Sequence, residues 1–156
     1  KIMLMSSLAL DCVPYHSYSD DVTWEDCSLR RWLNGTFYNS AFTSSEQKLI
    51  LTTRVSADKN PDYPKVNPGA STEDEVYILS VEEALYYFPN YQDRACIATE
   101  YTQSKGVVKC WWWLRTPGES QDTAASINSN GSWDETGSDV AGTKGCVRPV
   151  LWVTTE

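Results

Sequence analysis

The chain is 156 residues long, with 13 Lys+Arg set against 21 Asp+Glu for a formal charge of −8. That length suits one domain able to bury roughly 70% of the surface its unfolded chain exposes. The acidic balance argues against nucleic acid and anionic membranes, which attract basic patches, and no apolar run approaches the ~20 residues of a membrane-crossing helix.

Residues 2–10 read as a first strand. Closed by Asp11-Cys12, the same run has the length of a signal-peptide core with a lipid-attachment cysteine, but an acid directly before the cysteine suits that cleavage poorly. A start at Lys1 instead of Met leads us to expect a piece of a longer protein. Without repeats or a long linker, residues 1–156 are expected to form a single domain. Asp11 to Asp21, with Pro14 and His16, reads as a loop. Thr23 and Ser28 are alternative N-caps for a helix carrying Leu29, Trp32 and Leu33, which Asn34-Gly35 should end.

Thr43-Ser-Ser-Glu46 has the spacing of a capping box and predicts a short helix over 45–51. The Asn-Pro, Tyr-Pro and Asn-Pro-Gly steps of residues 56–74 predict an irregular excursion. Val76 to Leu79 reads as a short buried strand, and Ser80-Val-Glu-Glu83 as a second capping box whose helix Pro89 terminates. Trp111-Trp-Trp-Leu114 is a strand-like run followed by a turn at Thr116-Pro-Gly118. Ala124 to Ser129 and Ser132 to Glu135 flank Asn130-Gly131, the favoured two-residue hairpin turn. Val147 to Val153 is a closing strand in which Pro149 implies an edge or a bulge. Early helices and a late strand meander define an α+β domain.

Several of these segments occur together elsewhere. They are Asp11-Cys-x-Pro-Tyr15, Ser28-Leu-Arg-x-Trp-Leu-Asn34, Val76-Tyr-Ile-Leu-Ser80, Trp112-Trp-Leu-Arg-Thr-Pro-Gly118 and Val147-Arg-Pro-Val-Leu-Trp152. In this order they resemble an uncharacterised domain family of anaerobic gut bacteria and their phages, marked by W-W-L-R-[ST]-P-G and G-V-R-P-[AV]-L. More remotely, the ending resembles the C-type-lectin-like fold of the formylglycine-generating-enzyme class, which also displays the variable residues of diversity-generating retroelements. The resemblance implies that Leu114 to Gly118 and Val147 to Pro149 are framework. It makes residues 119–144 the display surface, with Ser120, Gln121, Asp122, Ser126, Asn128, Asn130, Trp133, Asp134, Thr136, Ser138, Asp139 and Thr143 as candidate binding residues. Small polar side chains would supply adaptable hydrogen bonds, and Trp133, expected exposed at the hairpin, a rigid anchor. The resemblance further implies disulfides Cys12–Cys27 and Cys96–Cys110, each bracketing a local excursion, with Cys146 unpaired. Loops of that length are worth roughly 3 kcal/mol each when bridged without strain. Five reduced thiols are the alternative.

Catalytic constellations are thin. The lone histidine, His16, lies in a loop rich in Ser and Asp, and no Gly-x-Ser-x-Gly elbow occurs. The paired acids, such as Glu73-Asp-Glu75 and Asp134-Glu135, read as solvated surface in so acidic a chain. Without clustered Cys and His there is no zinc set. The oxygen-rich run Asn128 to Asp139 lacks the alternating acids of a calcium loop. Arg115 and Arg148 read as buried framework groups. One or two rings of Trp111 to Trp113 should enter the core, and the remaining ring would join Trp133, Tyr86, Tyr87 and Tyr91 in an aromatic platform. The expectation is a non-catalytic ligand-binding or display domain without a cofactor, meeting a protein or glycan at an extracellular, cell or virion surface. Its rivals are an enzyme derived from the formylglycine-generating class and a structural module of a surface or phage protein.

Overall fold

The computed structural model describes residues 1–155, an α+β arrangement with its helices before residue 105 and its longest strands after residue 111. Strands β1 (Ile2–Met5) and β2 (Asp11–Cys12) occupy the two ends of the predicted first strand and its boundary. A single 3₁₀ turn over Trp24–Asp26 leads into α1 (Ser28–Trp32). Neither Thr23 nor Ser28 caps α1. Cys27 does, its Sγ accepting from Arg30 N at 3.4 Å.

Nor does Asn34-Gly35 end this helix, because the chain continues through a π turn (Leu33–Phe37) into α2 (Tyr38–Ala41). Asn34 is held by distant backbone instead of closing the helix. Its Nδ2 donates to Arg30 O and Val76 O, and its Oδ1 accepts from Glu75 N and Val76 N, all between 2.8 and 3.0 Å.

The capping box at Thr43 and Glu46 starts α3 (Ser44–Gln47), which is shorter than predicted because β3 (Ile50–Leu51) begins three residues later. Strands β4 (Thr53–Val55) and β5 (Thr72–Asp74) pair with each other and bracket the irregular excursion. Val76 to Leu79 is buried as expected, yet it forms only one bridge, Tyr77 to Val150. The second capping box, Ser80 with Glu83, starts α4 (Val81–Tyr87), which ends at Phe88 just before Pro89. Then come α5 (Tyr91–Arg94), α6 (Glu100–Ser104) and five strands: β6 (Trp112–Pro117), β7 (Thr123–Ile127), β8 (Trp133–Asp139), β9 (Cys146–Val147) and β10 (Val150–Val153). Among the described residues no helix is long and apolar enough to cross a membrane.

The predicted closing strand is really two. β9 lies between β2 and β6 in a five-stranded sheet ordered β2-β9-β6-β7-β8, and β10 lies between β1 and β3 in a second sheet. Pro149 has no N–H to extend a ladder, so the chain changes sheets at Arg148-Pro149. Ser6 fastens the crossing by donating to Pro149 O and accepting from Arg148 Nε, each at 3.1 Å.

All six residues of β6 are buried, so both faces of this central strand are covered. Trp112 and Trp113 therefore both enter the core, and their indole N–H groups donate to Arg94 O and Val13 O at 3.0 Å. Trp111 stays half-buried, edge-on to Trp113 at 4.8 Å. Arg115 fits its framework reading, donating to Ser56 O, Ile78 O and the Glu83 carboxylate. Asn60 stitches the excursion to the sheet. Fully buried, it donates from Nδ2 to Pro117 O and Glu135 O, both at 2.9 Å, and accepts from Asp62 N.

The predicted disulfides are absent: all five cysteines are buried free thiols. Cys12 sits on β2 directly across from Cys146, while Cys27 is engaged at the start of α1, and neither is bridged. Cys96 and Cys110 do meet, but as thiols in a group that also includes Cys146.

Candidate functional site

The turn between β7 and β8 is a three-residue loop, not the predicted two-residue one. Gly131 N donates to Asn128 O and Asn128 N to Ser132 O, and Gly131 alone takes a positive φ, +90°. This is a type I turn closed by a left-handed residue. The turn is docked. Gly131 presses its backbone on α5, where a Cβ would overlap the Tyr91 carbonyl oxygen, and Arg94 Nε donates to Gly131 O at 2.8 Å.

Docking the turn leaves two adjoining hollows beside it, sharing Lys109 and Ser129. One, about 360 Å³, is lined by Lys109, Trp111, Asn128, Ser129, Asn130 and Ser132. The other, about 350 Å³, runs past Ala98, Val107 and Val108 to the thiols of Cys96 and Cys110. Each lies within the size range of small-ligand sites. Asn128 Nδ2 donates to Ser132 Oγ, and Asn130 Oδ1 accepts from Ser132 N and Oγ. Asn128 Oδ1, Asn130 Nδ2, the Ser129 hydroxyl, the Trp111 indole N–H and the Lys109 ammonium make no protein hydrogen bond among the described residues. The groove thus carries an acceptor, several donors and one cation beside the Trp111 indole.

Of the twelve candidate residues, Asn128 and Asn130 alone line these hollows. Asn130, Asp139 and Thr143 are exposed, and Ser120, Gln121, Asp122, Asn128, Trp133, Asp134, Thr136 and Ser138 are half-buried. Ser126 is 1% exposed, held in the middle of the sheet between Trp113 and Asp134, and is removed from the candidates.

Much of the remaining polarity is spent internally. Gln121 ties the loop to Val22 O and Asn67. Asp122 accepts from Ser120, Asp134 from Thr136 Oγ1 and Gly137 N, and Asp139 from Ser19 Oγ and Ala141 N. Trp133 packs against the core with its Nε1 buried and unpartnered, so the exposed Tyr86, Tyr87 and Tyr91 gain no platform partner there. Lys109, Ser129 and Ser132 escaped the sequence reading as site residues, whereas Trp111 is the ring of the Trp run left outside the core. Only the position of Lys109 beside the Trp run marks them.

The thiols are not activated. Cys110 lies between Cys96 and Cys146. Its pKa is pushed up to about 12, first by the hydrogen bond with Cys146 and then by burial. Cys96 is raised still further by its hydrogen bond to Cys110 and by burial. Both are protonated at neutral pH, whereas nucleophilic chemistry needs the thiolate. Behind them lies Arg148, 5% exposed, its guanidinium 4.7 Å from the Trp112 ring. His16 accepts from Ser28 N through Nδ1 and rests against Tyr18.

No curated protein and no solved structure matches the chain. The family model described as Domain of unknown function (DUF6273) matches residues 1–155, essentially the whole sequence. By that match the chain belongs to the DUF6273 family.

Proposed function

We propose that this chain is a non-catalytic ligand-binding domain on a C-type-lectin-like scaffold of the formylglycine-generating-enzyme type. In this reading the W-W-L-R-T-P-G and V-R-P-V-L motifs are the framework of the gut-bacterial and phage family, in the manner of diversity-generating retroelement variable proteins. The ligand is a glycan or protein met at an extracellular, cell or virion surface, and it is taken up by the groove beside the β7–β8 turn. One observation carries this reading: unpaired hydrogen-bonding groups of Asn128, Ser129, Asn130 and Lys109 stand next to the Trp111 indole on a turn that Gly131 and Arg94 hold in place. Preorganised polar groups beside an aromatic face bind without first having to be ordered, which spares affinity. Protonated thiols and a histidine committed to Ser28 support a non-catalytic role.

A glycan and protein array identifies the ligand, and Ser129→Tyr tests the site. Ser129 is exposed and its hydroxyl makes no protein bond, so tyrosine fills the shared wall of the two hollows without disturbing the fold. The expected result is lost binding with an unchanged melting temperature. Retained binding with an unchanged melt places the ligand elsewhere and defeats the proposal.

A further inference from the structure

The charge lining the groove is opposite in sign to the net charge of the chain. The protein carries 21 Asp+Glu, yet no carboxylate lines either hollow among the described residues. Two other hollows do carry acids: one is lined by Asp62 and Glu119, another by Glu82. Lys109, shared by both groove hollows, has no acidic partner and makes no hydrogen bond through its ammonium among the described residues. Lys144 also lacks an acidic partner among the described residues and reaches Lys105 O at 2.7 Å, while Lys105 is neutralised by Asp11.

The second observation lies beneath the floor. Among the described residues Arg148 is a buried cation without a carboxylate partner, its Nη1 buried and without a hydrogen bond, and it stands within electrostatic reach of Cys96 and Cys110. Because those thiols stay protonated, they do not cancel it. Charges of one sign around a concave, low-dielectric wall focus the field in the opening. Among the described residues the one charged side chain lining the groove is thus a cation, on a negative protein.

The remaining chemistry narrows the anion. Phosphate-rich polymers are repelled by the net charge over the rest of the surface. A single carboxylate on a hydroxyl-bearing ring suits the groups present. Lys109 meets the carboxylate, Asn128, Ser129 and Asn130 meet hydroxyls or an amide, the Trp111 indole borders the ring, and Val107 and Val108 offer an apolar shelf for a methyl group.

We infer that the groove binds glycans ending in a carboxylated sugar, a sialic or uronic acid, with Lys109 as the carboxylate contact. This inference rests on the ligand-binding reading above and gives its substrate class.

The test uses immobilised sialyllactose and a galacturonic acid oligomer, each beside its carboxyl-reduced counterpart, with a hexaglutamate peptide as the acidic non-sugar. At least one acidic sugar should bind, with its reduced form weaker by about tenfold or more, the scale of a lost charge-assisted bond. Lys109→Ala should erase that preference and its salt dependence, and Lys109→Arg should restore both, with melts unchanged throughout. Equal binding of acidic and reduced sugars overturns the carboxylate assignment and leaves the groove as a binding site. Binding of hexaglutamate alone overturns the sugar. If none of these probes binds, the inference falls, while the array and Ser129→Tyr still decide the broader reading.

Discussion

Replacing Gly131 by alanine should loosen the β7–β8 turn from α5 and lower the stability of the whole domain. Two costs can be worked out separately. At φ +90° an L side chain is strained by roughly 1–2 kcal/mol. The new Cβ also overlaps the Tyr91 carbonyl oxygen and comes within 3.0 Å of Ala95 N, so the turn must lift away. Lifting it breaks the 2.8 Å bond from Arg94 Nε to Gly131 O and leaves a buried cation short of a partner, at about 1.5–3 kcal/mol. The sum is about 2.5–5 kcal/mol, or a drop of roughly 10 °C in Tm for a chain of this size.

Thermal unfolding followed by near-ultraviolet circular dichroism measures the drop. Gly35→Ala is the control, because nothing lies within 4 Å of its Cβ and its φ is not positive, so it should hold or raise stability. If Gly131→Ala melts within about 2 °C of the parent, less than a 1 kcal/mol loss, the turn is not docked on α5 and the reasoning fails.

Asn60→Ala should cost about 2–4 kcal/mol in urea unfolding, because it orphans Pro117 O, Glu135 O and Asp62 N together. Asn60→Asp should be no better, since a carboxylate would face two carbonyl oxygens; a stable Asp variant would contradict the hydrogen-bond assignment. Stability should also fall in alkali. Burial pushes Cys27 from 9.0 up to about 12, and Tyr77 from 10.0 to about 12, so the folded state keeps protons that the unfolded chain has already released. The stabilisation is whole below about pH 9 and drains away between about pH 9 and 12. Urea midpoints across that range should decline, with Cys27→Ala flattening the first part. Finally, protein denatured without reductant should take up five alkyl groups by intact mass. A count of one would reinstate the two disulfides.

Local chemistry was legible in the sequence and long-range chemistry was not. The capping boxes at Thr43 and Ser80 need only a hydroxyl and a glutamate three residues apart, and both stand as read. Asn34-Gly35 carries the same local authority but was misread, because Asn34 is claimed by Glu75 and Val76 some forty residues away. Ser126 is polar and small, which says surface, yet a central position between β6 and β8 buries it. Half of the groove was visible as the Asn-rich turn. Its other wall, with Lys109 and Trp111, became a wall only when β6 was laid against β7. The meeting of Cys96, Cys110 and Cys146 likewise depends on strand order, which spacing along the chain does not encode.

The change of sheets at Arg148-Pro149 has a consequence for how this protein is made. Residues 146–153 supply the inner strand of one sheet and the strand between β2 and β6 in the other. They leave the ribosome after every strand they join. Until they emerge, β1 and β3 have no common neighbour, and β2 cannot reach β6. The nascent chain must therefore wait with both sheets open, its strand edges unpaired and prone to bind other chains. Final closure then depends on contacts spanning almost the whole sequence, from Ile2 to Val153, which slows folding by demanding that a long loop be closed first. A chain released at Gly145 would carry all the other strands but would lack the seam that makes the two sheets one body.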